Sequence, residues 1–275
     1  MLPQRDSILS LLADEDSDTA GLVQNQLVAR GPSVLADLRD LLPAASGRAE
    51  RRLKEIVAQI AGEAAEKKFG ALCAAFGDHS DIEDAAWTLA AVVAPGEDFS
   101  GQRGLLDEWG TTLARRLLGK ETVIQQCGEM SALLGSELGF RGNEDDYYAE
   151  ENSLLPRVIE HRRGNPITLC LAYIAVGSRA GLPVQGVGLP GHFVARVGGV
   201  FIDPFHGGRR LQLEDCQKLL ESQSLELQPH HLQPCKPRVM LARMLNNLLH
   251  AAETGDPTLG EKLNGWLQIL QRAAV

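Results

Sequence analysis

Apolar residues in the first 76 positions recur at intervals of three and four, which is the spacing of one helix face. Gly31-Pro32 and Ser46-Gly47 interrupt the pattern. Glycine is common just after a helix, and proline is common in a first helical turn. The pattern therefore predicts short helices that fold back on one another over residues 1–78.

These predicted helices resemble the stacked pairs of HEAT-type repeats. Only about two such units fit into this length. A plain helical bundle is the alternative, and the pattern does not choose between them. We expect residues 1–78 to form an all-α, HEAT-like region.

Helical spacing continues over residues 80–118 and 122–138, and then stops. Residues 139–152 read GFRGNEDDYYAEEN and show no period, which predicts a loop. Polar and aromatic loop residues often bind ligands. Asn143, Tyr147 and Asn152, together with Asn165, are therefore candidate binding residues. The alternative is a structural loop whose tyrosines cover the core.

The segment 166–180 is apolar almost all round, which predicts a buried central helix. Strand-like runs follow at 184–187, 192–197 and 200–203. Gly207-Gly208 is expected to end the sheet. A helix over 213–220 and a final helix pair over 239–252 and 258–271 complete the pattern.

This order predicts an α+β fold in which a central helix packs on an antiparallel sheet. The predicted domains are a helical region at 1–78, a core with leading helices at 79–222, and a connector with a helical hairpin at 223–275. The final hairpin is TPR-like, or else a closing bundle.

Gly198-Gly199 between two valines predicts a two-residue hairpin turn. In that register Val194 faces Asp203, and His192 shares a face with Val194 because side chains alternate along a strand. His192 and Asp203 are then diagonal neighbours, about 7–8 Å apart at the backbone. An imidazole paired with a carboxylate is a feature of thiol and serine enzymes. A structural hydrogen bond is the alternative.

Cys170 is the candidate nucleophile for such an enzyme. A reactive thiol is best placed at a helix N-terminus, where the dipole lowers its pKa. Numbering from Pro166 puts Cys170 in the second turn, one turn later than that position. A buried, unreactive thiol is the competing interpretation.

The composition of the chain limits the classes of partner that we expect. The net charge of −9 gives no general affinity for nucleic acid, and no apolar run reaches the ~20 residues of a membrane span. The pairs Arg162-Arg163 and Arg209-Arg210 are local basic spots, interpreted as solvated surface arginines. We expect a protein partner or a small ligand, no nucleic acid and no membrane.

Five scattered cysteines and an N-terminus without a secretory pattern predict a reduced, cytoplasmic protein. We expect no cofactor and no bound metal. A weaker alternative is a zinc site formed by His192, Asp203 and His206.

The stretch RRGNPITLCLAYIAVGSRAGLPVQGVGLPGHFVARV, with FIDPFHGG, resembles the SirB-type branch of the transglutaminase-like superfamily. FRGNEDDYYAEENSLLPRVIEHRRG, WTLA and RVMLARMLNNLLHAAETGD resemble the same branch. The resemblance spans roughly residues 81–271. It implies a papain/transglutaminase-like core and carries His192 and Asp203 onto the family's histidine and aspartate.

The resemblance does not carry over a nucleophile. In active members a Gly-x-Cys opens the central helix about fifteen residues before a Gly-Ile/Leu-Pro turn. Gly181-Leu182-Pro183 matches that turn, and counting back places Pro166 at the nucleophile position. Proline offers no nucleophile for acyl transfer. The sequence therefore favours a degenerate, non-catalytic binding or regulatory module. The alternative is a thiol hydrolase or acyltransferase that uses Cys170, His192 and Asp203.

Overall fold

The computed structural model describes residues 5–221, 224–253 and 256–272. The first residues of the N-terminal segment and the predicted domain boundary between residues 222 and 223 lie outside these ranges. The chain divides into two compact units. One comprises Met1–Leu72 with Thr88–Asp98, and the other comprises Cys73–Trp87 with Phe99–Val275.

The first unit is helical. Its helices are α1 (Arg5–Ala13), α2 (Ser17–Ala29), α3 (Leu35–Arg39), most of α4 (Gly47–Ala75) and the second half of α5 (Ile82–Val93). Its core consists of buried aliphatic side chains at helical spacing, among them Leu12, Leu38, Leu53 and Ile56. This agrees with the helical pattern of the sequence. The HEAT-type pairing stays a prediction.

Three hydrogen bonds stabilise the start of this unit. Asp16 caps α2 by accepting a hydrogen bond from the Asp18 amide at 3.0 Å, which satisfies one free amide of the first turn. Arg52 on α4 donates to the Leu12 and Asp14 carbonyls, both at 2.8 Å. These carbonyls lie at the C-terminal end of α1, where backbone acceptors lack helical partners.

The second unit holds the remaining helices and all strands of the described residues. The helices are α6 (Ser100–Leu117), α7 (Val123–Ser131), a π-helical stretch at Ala132–Glu137, α8 (Leu155–His161), α9 (Pro166–Arg179), α10 (Leu213–Glu221), α11 (Pro237–Ala252) and α12 (Pro257–Arg272). The strands are β1 (Arg141–Gly142), β2 (Arg163–Gly164), β3 (Val184–Val187), β4 (Val194–Val197), β5 (Val200–Asp203) and β6 (Arg209–Leu211).

Strands β3 to β6 form one four-stranded antiparallel sheet in the order β3-β4-β5-β6. In the β4–β5 hairpin, Val197 faces Val200, Arg196 faces Phe201 and Ala195 faces Ile202. This confirms the register predicted from Gly198-Gly199. The two-residue strands β1 and β2 pair separately and in parallel.

Two sequence-based boundaries of the sheet were wrong. The sheet does not end at Gly207-Gly208, because β6 pairs with β5 beyond them and places Arg209 opposite Asp203. Gly207 and Gly208 have φ of 67° and 78°, and this left-handed backbone turns the chain back onto β5. The second strand begins at Val194 and not at His192.

Helix α9 is the centre of the second unit. It packs against α6, α8, β3 and β4, and Leu169, Tyr173 and Val176 are fully buried. At its C-terminal end Arg179 donates to Glu83 at 2.7 and 2.9 Å and to Asp107 at 2.6 Å. The prediction of a buried helix on an antiparallel sheet is thereby confirmed.

Helices α11 and α12 pack on each other, and α11 also contacts α9. These helices therefore contribute to the same unit as the sheet, and a TPR-like character for them remains a prediction. No helix within the described ranges combines the length and the apolar character that crossing a membrane requires.

Candidate active-site cleft

A tight turn presents His192 at the end of the sheet. The His192 amide donates to the Leu189 carbonyl at 3.1 Å, with Pro190 and Gly191 between them. Gly191 has φ of 71°. Proline followed by a glycine with positive φ is the composition of a type II turn. Within the PGHF motif, Pro190 and Gly191 thus form the turn that positions His192.

Asp203 pairs with that histidine from the end of β5. His192 Nε2 lies 3.1 Å from Asp203 Oδ1, and the Asp203 side chain is 0% exposed while that of His192 is 10% exposed. The other carboxylate oxygen, Oδ2, lies 2.7 Å from His206 Nδ1. The Phe205 amide also donates to Oδ1, at 3.1 Å. One buried carboxylate therefore hydrogen-bonds to two imidazoles and to a backbone amide of the turn that follows β5.

The charge state of Asp203 follows from these contacts. Burial acts to raise the pKa of Asp203, but the hydrogen bonds and charges of His192 and His206 outweigh it, so the pKa lies below its ordinary value. An ionised carboxylate can only accept hydrogen bonds. His192 Nε2 must then carry the hydrogen, which leaves Nδ1 as the nitrogen that is available to a ligand or a reacting group.

The first turn of α9 lies across from His192. Asn165 caps the helix by accepting from the Thr168 amide at 3.0 Å, and it donates to Ser153 at 2.9 Å. Pro166 follows as the first helical residue, where its missing amide costs nothing. Pro166 and His192 line the same cavity of about 260 Å³. The place expected for a nucleophile therefore holds a proline ring.

Cys170 lies one turn further along α9. It is 0% exposed, and its thiol donates to the Val194 carbonyl at 3.4 Å. Burial raises the pKa of Cys170 well above its ordinary value, and nearby Cys235 and Asp203 add to this effect. A thiol in this environment stays protonated at neutral pH.

The candidate binding residues of the sequence fall into two groups. Tyr147 lines the Pro166–His192 cavity and also a second cavity of about 260 Å³, which Asn165 lines as well. Asn143 and Asn152 instead organise the loop. Asn152 accepts from the Asn143 side chain at 3.0 Å and donates to the Asp146 and Tyr147 carbonyls at 2.6 and 3.1 Å. They thereby fix the loop segment that carries Tyr147.

Sequence reasoning missed the residues that α11 supplies to the cleft. Arg243, Asn246 and Asn247 line the first cavity, and Asn247 and His250 line the second. The available signal was an exposed asparagine pair inside an otherwise apolar helical pattern, MLNNLLH. That signal identifies polar helix positions but not the distant turn that they approach.

Arg243 has a second role, because it holds the turn that carries His192. Its guanidinium donates to the carbonyls of Gly188, Leu189 and His192 at 3.3–3.4 Å. It also lies 5.6 Å from the Phe193 ring centroid, within the range of a cation–π contact. Helix α11 therefore helps to position the histidine.

His192, Asp203 and His206 also offer ligand atoms that all lie within 4.8 Å of one another. Two imidazoles and a carboxylate are a donor set that zinc accepts. Their present distances of 3.1 and 2.7 Å are those of hydrogen bonds, in which each histidine uses a different carboxylate oxygen. Hydrogen bonding thus accounts for the arrangement of the three side chains.

A buried aspartate and a histidine at one end of an antiparallel sheet, facing the first turn of a central helix, define a transglutaminase-like class of domain. The family model described as "transglutaminase-like superfamily" matches residues 102–246, more than half of the 275-residue chain. The chain belongs to the transglutaminase-like superfamily.

Several curated proteins are similar to this domain. A UPF0162 protein of Xylella fastidiosa is 39% identical over 125 residues, which cover 42% of this chain and 44% of that protein. A UPF0162 protein of Pseudomonas aeruginosa is 36% identical over 129 residues, or 44% of this chain and 47% of that protein. The human F-box only protein 21 is 30% identical over 108 residues, which cover 35% of this chain and 17% of that protein. The chain spans less than half the length of these relatives. No solved structure matches it.

Proposed function

We propose that this chain is a transglutaminase-like module with a degenerate active site, which binds a protein partner or a small ligand and does not catalyse. One observation carries the proposal: Pro166 lines the same cavity as His192, whose imidazole is paired with the buried Asp203. The imidazole–carboxylate pair would suit a base and its orienting group, but proline cannot supply the nucleophile that acyl transfer needs.

The buried thiol of Cys170 supports the non-catalytic half of the proposal. A nucleophile and its base must come within about 3 Å of each other. Cys170 instead directs its thiol to the Val194 carbonyl, and its pKa is raised by burial. The alternative, a thiol hydrolase or acyltransferase using Cys170, His192 and Asp203, requires an exposed thiol with a lowered pKa.

The polar lining of the cleft supports the binding half. The two cavities share Tyr147 and Asn247, so they are neighbours, and both are lined by aromatic and polar side chains. Concave sites with a few convergent polar groups are typical of ligand binding. Each cavity has room for a polar side chain of a partner or for a small polar molecule.

Finer assignments belong to the same proposal. The motifs PGHF and IDPFHGG support placement in the SirB-type branch. A HEAT-like N-terminal region and a TPR-like C-terminal hairpin suit a protein that engages a partner. The scattered cysteines support a cytoplasmic location, and the net charge of −9 supports a partner other than nucleic acid.

The test combines reactivity with binding, on the full chain. Ligand-detected NMR against libraries of short peptides and polar metabolites is the binding measurement. Asn247→Leu should abolish the signals of ligands that occupy the cleft. Gln268→Ala, on the exposed face of α12, should leave them unchanged. A thiol-directed acyl probe should give no adduct on Cys170 near pH 7.

Two results would overturn the proposal. One is turnover or acyl-probe labelling that is lost in both Cys170→Ala and His192→Ala, because that dependence requires a working thiol and base. The other is a set of ligands whose binding is the same in wild type and Asn247→Leu, because the cleft then plays no part in binding.

A further inference from the structure

A larger cavity lies next to the His192–Asp203 pair and is unusually basic for an acidic chain. Its volume is about 830 Å³, and its lining includes Arg141, His161, Arg162, Arg163 and His206. The volume falls in the range of small-molecule sites. The chain as a whole carries a net charge of −9, so this cluster of cations is local.

Arg162 is the most constrained of these cations. Its guanidinium carbon lies 4.3 Å from the Trp109 ring centroid and 5.1 Å from that of Phe140. Its Nη1 atom is buried and has no hydrogen-bond partner within the described part of the chain. Burial lowers the pKa of Arg162, because the charge has been partly removed from water. The Arg162 guanidinium is therefore held by aromatic rings and not by a carboxylate.

The backbone of Arg162 is also adapted to this position. Arg162 ends α8 with φ of 60°, a left-handed conformation that usually falls to glycine. A side chain at such a residue is strained, and this kind of strain is concentrated at binding sites.

Two further arginines lie directly opposite each other. Arg141 of β1 is the register partner of Arg163 of β2. Both residues also line the cavity, so this strand pair brings two arginine side chains to it. The Arg163 guanidinium donates one hydrogen bond to the Gly142 carbonyl at 3.3 Å, and Arg141 is exposed.

Carboxylates lie near the cavity, but within the described part of the chain none forms an ion pair with Arg141, Arg162 or Arg163. Glu144 and Asp145 also line it, but both are exposed and solvated. Glu151 lies 3.4 Å from His161. The guanidinium groups are the ones whose planar donors match a phosphate, which they bind through two parallel hydrogen bonds.

We propose that the cavity lined by Arg141, Arg162 and Arg163 is an anion site that binds a phosphate-bearing small molecule. His206 connects this cavity to the cleft, since it lines the cavity and lies 2.7 Å from Asp203. The site is distinct from the Pro166–His192 cleft, so the proposal does not depend on what the cleft binds.

Isothermal titration calorimetry of the full chain tests the proposal, with inorganic phosphate and ADP as probes and citrate as a carboxylate comparison. Phosphate and ADP should bind, and added salt should weaken the binding. Arg141→Gln and Arg162→Lys should each weaken it about tenfold, the effect of losing one charge-assisted hydrogen bond. Arg115→Gln, an exposed arginine of α6 outside the cavity, should bind as wild type does.

The two variants separate folding from binding. Arg162→Lys keeps the charge but removes the planar donor pair, and Arg141→Gln changes an exposed residue that carries no core packing. The proposal is overturned if neither phosphate nor ADP binds at millimolar concentration. It is also overturned if citrate binds more tightly than both, or if Arg141→Gln and Arg115→Gln have equal effects.

Discussion

His192 and His206 are held by the two different oxygens of Asp203, at 3.1 and 2.7 Å. The carboxylate is fully buried, His192 lines the cleft and His206 lines the basic cavity. One side chain therefore joins the two candidate binding sites of the domain.

Replacing Asp203 by Asn should destabilise the second unit at neutral pH. The amide keeps one acceptor but cannot accept from both imidazoles and the Phe205 amide. We expect a loss of about 1–3 kcal/mol in the free energy of unfolding, which is typical of a buried polar group left unsatisfied. Chemical denaturation monitored at pH 7 measures this loss.

The same loss should depend on pH. The pKa of Asp203 in the folded protein lies below its ordinary value of about 3.9. A lowered pKa stabilises the fold fully above about pH 4, and this contribution disappears as the pH falls through the folded-state pKa. The difference between wild type and Asp203→Asn should therefore shrink as the pH falls from about 4 through the lower pKa of the folded protein. Gln268→Ala, which changes an exposed side chain of α12 that does not titrate, should show no such trend. A difference that is constant with pH contradicts the prediction.

Replacing Pro166 by Cys should create a reactive thiol. The new side chain would open α9 and face the cavity of His192, where the helix dipole and the imidazole both favour a thiolate. We expect its pKa to fall from about 8.5 to near or below 7. The pH dependence of iodoacetamide alkylation, read at residue 166 by peptide mass spectrometry, measures that pKa.

The double variant Pro166→Cys/His192→Ala is the matched control. Without the imidazole the pKa should return toward the ordinary thiol value, and alkylation near pH 7 should slow by about tenfold. Equal alkylation rates in the single and double variants would show that His192 does not act on this position. The result bears on geometry alone, because it requires no known substrate.

Cys170 in the native chain should resist alkylation. Its thiol is fully buried and bonded to the Val194 carbonyl, and burial raises its pKa. At pH 7.5 we expect Cys170 to react at least tenfold more slowly than the partly exposed Cys235, and at a similar rate after denaturation. Mass spectrometry of differentially labelled peptides gives both rates. Faster labelling of Cys170 than of Cys235 in the folded protein contradicts this prediction.

The parts of the fold that depend on short-range patterns could be predicted from the sequence. Helix α9 follows from an apolar run that starts at Asn165-Pro166, and the β4–β5 register follows from Gly198-Gly199. These features are fixed by neighbours in the chain. The strand β6 does not follow from the sequence, because Gly207-Gly208 is typical of a strand end, whereas positive φ at both glycines returns the chain to the sheet.

The candidate site divides in the same way. His192 and Asp203 lie eleven residues apart at the open end of one hairpin, so the predicted register brings them near each other, although β4 itself begins only at Val194. His206 and Arg243 could not be placed. The position of His206 depends on the conformation of the loop after Pro204. The position of Arg243, which lies 51 residues after His192 in the sequence, depends on how α11 packs against the rest of the unit. Tertiary packing of this kind leaves no periodic signal.

Replacing Arg243 by Met should loosen the turn that carries His192. The change removes the hydrogen bonds to the Gly188, Leu189 and His192 carbonyls but keeps an apolar stem over Phe193. We expect a stability loss of about 1–2 kcal/mol. The His192 amide, bonded to the Leu189 carbonyl, should exchange with solvent about tenfold faster, because that bond opens more often.

Hydrogen exchange followed by NMR measures that opening residue by residue, which separates local loosening from global loss of stability. Arg272→Met, at the exposed end of α12, is the matched control and should leave the His192 amide unchanged. Amides in the buried first turns of α9 should change only as much as the global stability does. If the His192 amide exchanges no faster than those of α9 in Arg243→Met, then Arg243 stabilises the unit as a whole and does not position the histidine.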